Sequence, residues 1–138
     1  MEQKIKNFKI IFCLLLCVSL SAENQKVNFL ETEVNAILIP GSGTYSKKIS
    51  TQNKEAQQFF DQGLRLAWGF YFPESIASYL EAARHAPDHP MPYWGMAHAM
   101  GPNPNSRYSG MPDDPKGEGF KAIKKAMDRI ENASDMEA

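Results

Sequence analysis

The stretch AQQFFDQGLRLAWGFYFPESIASYLEAARHAPD, from Ala56 to Asp88, leaves few folds open to this chain. Apolar or small residues recur at helical spacing in its first half (Phe59, Gly63, Leu66, Phe70) and in its second (Ile76, Tyr79, Ala82, Ala83). That period belongs to a helix; a half-buried strand would alternate every second residue. Phe72-Pro73-Glu74 supplies the break, because proline fits the first turn of a helix and disrupts its interior. The stretch therefore predicts two amphipathic helices of about four turns, joined by a tight turn into an αα-hairpin.

These residues resemble the tetratricopeptide repeat, a helix pair of about 34 residues with a small residue in its first helix, an Ala-Phe/Tyr-Ala series in its second and a closing proline. Ala56 matches the repeat start and Gly63 the small residue where the two helices touch. Leu66 takes the large residue's place, Tyr79 and Ala82 match the second-helix series, and Pro87 closes. The chain departs from the pattern at Gln62, where the family usually has Leu, and at Ser75, where it usually has Ala. From Ile39 onward it is similar to a subgroup of exported bacterial tetratricopeptide proteins. The residues that carry this likeness are Ile39-Pro40-Gly41-Ser42-Gly43-Thr44 and Ile49-Ser50-Thr51 ahead of the first helix, then Tyr93-Trp94-Gly95 and Gly101-Pro102-Asn103. Members often carry histidines after the Gly-Thr, whereas Tyr45, Ser46, Lys47 and Lys48 stand here, so no metal role is expected at that position. The resemblance implies an all-α fold of antiparallel helix hairpins, and a scaffold for protein–protein interaction with no enzymatic activity.

The first 22 residues read as a secretory signal peptide. Lys4, Lys6 and Lys9 make a basic start, Ile10 to Leu20 an apolar core, and Ser19-Leu20-Ser21-Ala22 a small-residue cleavage site. The apolar run is shorter than the roughly 20 residues of an ordinary membrane span; an uncleaved anchor is the alternative and the only membrane contact expected. Both cysteines, Cys13 and Cys17, fall inside this segment. The mature chain would be exported, periplasmic or secreted, and would fold without a disulfide. Losing the segment takes the formal charge from −1 to −3, which gives no electrostatic case for a nucleic-acid partner.

Residues 23–52 lack helical periodicity and are expected to form an extended arm or a short irregular β-hairpin, with Gly41-Ser42-Gly43 as turn material. Asn53 is the expected N-cap of the first repeat, 53–89. A second repeat, 90–138, begins with a helix near Met91 to Met100 capped by Asp88 or His89. A proline-rich loop at 102–115 (PNPNSRYSGMPDDP) interrupts it, and Asp114-Pro115 starts a last helix bearing Phe120, Ile123, Ala126, Met127 and Ile130. Asn132 to Ala138 resembles the start of a third repeat. Such arrays usually need about three units and a polar cap. Two units predict an N-terminal fragment of a longer array or enzyme, or an open end covered by self-association or another protein.

Candidate chemistry is sparse. Pro87 separates His85 from His89, so these with Asp88 do not make the one-face pair of a helix-borne zinc site. No haem-attachment motif occurs, the methionines read as core filling, and no cofactor is expected. No serine, histidine and carboxylate set can be assembled from spacing alone. In the repeat family, first-helix residues turned away from the partner helix line a concave groove. Mapped here, the partner-binding groove comprises Phe60, Asp61, Leu64 and Trp68 in repeat one and Met91, Trp94 and His98 in repeat two. Exposed aromatics there would anchor a protein or peptide; the alternative is that Phe60, Trp68 and Trp94 pack on the arm or on a further domain. A metal- or haem-associated periplasmic module using His85, His89 or His98 is the second functional reading. N-terminal sequencing of chain exported by a bacterial host should begin at Glu23; an intact Met1 on membrane-bound protein would favour the anchor instead.

Overall fold

A computed structural model of the chain describes residues 36–101 and 111–138. The signal-like segment 1–22, arm residues 23–35 and loop residues 102–110 lie outside them. Among the described residues the fold is all-helical, with no strand: α1 (Lys54–Trp68), α2 (Phe72–His85), α3 (Pro90–Ala99), α4 (Pro115–Met127) and a 3-10 turn at Ile130–Asn132. None of these helices is long and apolar enough to cross a membrane.

Each start follows from its first residues. Asn53 accepts a hydrogen bond from Ala56 N at 3.0 Å and donates one to the His85 carbonyl at 3.0 Å, tying the start of α1 to the end of α2. His89 caps α3, its Nδ1 accepting from Met91 N, and Asp114 caps α4 by accepting from Gly117 N. Pro73, Pro90 and Pro115 occupy first-turn positions, where no helical donor is lost. α1 packs most extensively on α2 and α3 on α4, while α2 also packs on α3 and joins the two pairs. The C-terminal residues close in a tight turn, with Glu137 N and Ala138 N both donating to the Ser134 carbonyl.

The β element anticipated for the arm is absent from residues 36–52. That segment turns at Gly41, whose φ is +78°, and runs back along α1 as irregular chain. The physical reason is that its main-chain groups bond to side chains of α1 instead of to another strand.

The core centres on Tyr79, which is fully buried. Its ring lies flat against two glycines: a Cβ on Gly63 of α1 would sit 2.6 Å from Tyr79 Cε1, and one on Gly95 of α3 would sit 2.4 Å from the same atom. Phe60 packs on the ring at a centroid distance of 5.6 Å, and Ile76 and Met96 complete the surroundings. Burial pushes the Tyr79 hydroxyl well above its usual pKa, against a smaller opposite effect of Ser75; the hydroxyl makes no regular hydrogen bond among the described residues. Ser75, also fully buried, donates to the Gly63 carbonyl at 2.8 Å. In the second pair Gly119 of α4 approaches the Ala97 carbonyl, which an added Cβ would meet at 3.7 Å.

Alanine usually strengthens a helix over glycine by about 1 kcal/mol. Here a rigid ring blocks it, so Gly63→Ala and Gly95→Ala should each destabilise the fold by about 1–3 kcal/mol. Tyr79→Phe should be close to neutral, because the lost hydroxyl has no regular partner. Urea titrations read both; a stabilised Gly95→Ala variant would contradict the packing.

Candidate functional site

Three arrangements of side chains exceed what the core alone requires. The first lies along α1, where polar residues grip the arm. Gln62 is almost fully buried. Its Oε1 accepts from Ile39 N at 2.7 Å, and its Nε2 donates to the Ile37 carbonyl at 2.9 Å and to Ser78 Oγ at 3.0 Å. Gln57 repeats the pattern: Oε1 accepts from Ile49 N and Nε2 donates to the Lys47 carbonyl, both at 2.9 Å. In extended chain a carbonyl at n and the N–H at n+2 point the same way. Each glutamine amide therefore reads one such rung as a neighbouring strand would. Between them the Asp61 carboxylate accepts from Ser46 Oγ at 2.7 Å, Lys47 N at 2.9 Å and Gln57 Nε2 at 3.0 Å, and Arg65 donates to the Tyr45 carbonyl at 2.8 Å.

The second arrangement is an aromatic surface at the C-terminal ends of α1 and α3. Trp68 is 72% exposed, and the Trp94 and His98 rings stack at 5.4 Å with 11° between their planes. A cleft of about 470 Å³ runs between Trp68 and His98, lined also by Phe70, Phe72 and Ala97. A second cleft, of about 510 Å³, lies on the other side of Trp68 against Ser42–Tyr45 and Arg65. Phe70 enters the first cleft because α1 ends in a Schellman motif: Phe70 N donates to the Ala67 carbonyl and Tyr71 N to that of Leu66. The left-handed position of this motif normally takes glycine, yet Phe70 holds it with φ +65° and keeps its ring 56% exposed. A bulky residue in that region is strained.

The third arrangement joins three distant segments. Ser50 Oγ contacts His89 Nε2 at 3.0 Å and donates to Glu137 Oε2, while Ser50 N donates to Glu137 Oε1 at 2.9 Å. Glu137 also accepts from Ser134 N and Ser134 Oγ. A serine, a histidine and a carboxylate together suggest nucleophilic catalysis, but the proton inventory opposes it. His89 Nδ1 already accepts from Met91 N, so in neutral His89 the proton sits on Nε2 and points at Ser50. A general base must instead present a lone pair to the hydroxyl. The trio is a latch between the arm, the α2–α3 turn and the C-terminus.

The sequence-derived groove is thus divided. Phe60, Leu64 and Met91 are buried in the core and Asp61 is buried under the arm, whereas Trp68, Trp94 and His98 share the open surface. Of the candidate metal ligands, His85 stacks on Phe59 and pairs with Glu81, and His89 belongs to the latch. Among the described residues no three His, Cys, Asp or Glu side chains converge. Sequence reasoning missed Gln57, Phe70 and the Ser50–His89–Glu137 trio. Gln62 carried a signal, since an amide where the repeat family has Leu must find partners if buried. Compared with protein-family models, curated proteins and solved structures, the chain has no match in any of the three.

The latch gives the fold a pH dependence of definite sign. Burial lowers the His89 pKa from 6.5, against the opposing Glu137 charge and Ser50 bond. Burial raises that of Glu137, but the hydrogen bonds from Ser134 and Ser50 outweigh it and bring the carboxyl from 4.5 to about 2. On acidification the unfolded chain takes up both protons before the folded chain does, so stability falls with pH. The His89 share starts to go below 6.5 and the Glu137 share goes between 4.5 and about 2. Thermal melts from pH 8 to pH 3 should show this decline, with its lower limb flattened in Glu137→Gln; a melting temperature that rises on acidification would refute the assignment.

Proposed function

We propose that this protein is an exported helical-repeat scaffold of tetratricopeptide type, and that it binds a protein or peptide partner through the surface formed by Trp68, Phe70, Trp94 and His98. The exposed rings around the 470 Å³ cleft carry this reading. Aromatic side chains offer large contact area at small entropic cost and dominate binding energy where they become desolvated.

The repeat assignment is supported by a register that recurs across the two helix pairs. In the first, the small residue Ser75 of α2 bonds the carbonyl of Gly63 in α1; in the second, the small residue Gly119 of α4 lies against the carbonyl of Ala97 in α3. Gly63 and Ala97 are one repeat length of about 34 residues apart, and the extra spacing in the second pair falls in the 102–115 insertion. Export is supported by the basic, apolar and small-residue order of the first 22 residues.

Strain at Phe70 separates binding from stability. A glycine takes the left-handed position at no steric cost, so Phe70→Gly should stabilise the fold by about 1 kcal/mol and yet weaken binding. Peptides selected from a random library on the purified chain should lose about tenfold or more in affinity on Trp68→Ala and on Trp94→Ala, a loss typical of an interface anchor. Selected peptides that bind all three variants as tightly as the parent would show that this surface is not the site.

A further inference from the structure

We propose that the Gln57–Asp61–Gln62 face of α1 is a peptide-binding site that reads main chain, that the chain's own arm occupies it in cis, and that the arm of a second copy takes it in trans. Three observations carry this. The grip is chiefly on the backbone: both glutamines hold a carbonyl and the N–H two residues on, and Asp61 holds the Lys47 N–H. Main-chain pairing of this kind supplies affinity to an added extended segment, while side-chain pockets supply selectivity. The selective contacts are two, the Ser46 hydroxyl on Asp61 and Ile49, whose side chain is sunk in the core. The sequence Ser46-Lys47-Lys48-Ile49 is therefore the segment shown to fit, and a second copy carries it.

The arm is also built to let go. Ile37, Leu38, Ile39 and Tyr45 remain 41–76% exposed, so apart from Ile49 the arm is held by hydrogen bonds, those of the Ser50 latch among them, rather than by apolar burial. Segments with few buried apolar contacts open locally at low cost. Between Ile49 and α1 the chain folds back within a few residues, with Thr51 N donating to the Ile49 carbonyl and Asn53 N to Thr51 Oγ1. Straightening that hinge carries the arm away from its own α1, the geometry by which identical elements are exchanged between copies. In trans the same contacts re-form, so the balance is set by hinge strain and by the effective concentration of the tethered arm. This surface is separate from the Trp68–His98 cleft, and either assignment can fail alone.

A labelled synthetic peptide of residues 36–51 tests the site on the full chain by fluorescence anisotropy. The peptide should bind the parent weakly, because the tethered arm competes. Ser46→Ala in the protein loosens the tethered arm and leaves α1 intact, so it should raise peptide affinity about tenfold, the scale of one hydrogen bond to a charged group. Lys47→Pro, which lacks the N–H that Asp61 accepts, should do the same, and Gln57→Ala should abolish binding despite loosening the arm as well. In sedimentation, the parent should form a dimer at high concentration that excess free peptide dissociates and that Gln57→Ala lacks. A peptide that fails to bind both the Ser46→Ala and the Lys47→Pro chains overturns the site. A parent that binds peptide but stays monomeric overturns the second copy as occupant.

Discussion

The ring of Tyr79 occupies a slot whose two walls are glycine backbone, Gly63 on α1 and Gly95 on α3. This contact sets how closely three helices approach, because any side chain at either glycine would occupy the ring's own volume. Interiors packed to crystal-like density do not absorb such an intrusion. Since α2 supplies the ring and its neighbours supply the slot, the two helix pairs are held in one register by one residue. The aromatic surface follows from that register: on α3 Trp94 lies one residue before Gly95 and His98 three beyond it, and on α1 Trp68 lies five beyond Gly63.

Much of this body could be read from the sequence, and its legibility has a cause. Periodic apolar residues, prolines at first turns and the capping residues Asn53 and Asp114 are local signals, and each helix starts within about one residue of where they place it; the ends are less legible, since α1 stops at Trp68 before Phe70 and α4 at Met127 before Ile130. The arm was not legible in the same way. Its bonds run from side-chain amides to main chain, which leaves no pattern of residue types along the segment. The latch was hidden by distance: Ser50 and Glu137 are 87 residues apart, and nothing local marks either one. Phe70 fits the apolar spacing of a helix, yet it sits beyond the helix end in a conformation that its residue type does not suggest.

Gln62 and Ser75, where the sequence departs from the repeat pattern it resembles, were the most informative single positions. Gln62 and Ser75 each place a polar group in a fully enclosed environment, where an unmatched group would cost about 1–3 kcal/mol. Both are matched, Gln62 by the arm and Ser78, and Ser75 by the Gly63 carbonyl. Gln62 ties the arm to the core, and Ser75 ties α2 to α1 at the point of closest approach. A hydrophobic residue at 62 would have left the Ile37 carbonyl and the Ile39 N–H without these bonds.

The grip on the arm also bears on how this protein can change over evolutionary time. Where recognition falls on the backbone, the outward residues Ile37, Leu38, Tyr45, Lys47 and Lys48 keep their side chains exposed, and Ile37, Tyr45 and Lys47 are held through their carbonyls. They are free to drift, or to be rewritten by design, while the strap keeps its course over the helix. The body could thus present a changing face on an unchanging frame, with Ser46, Ile49 and Ser50 as the fixed pegs.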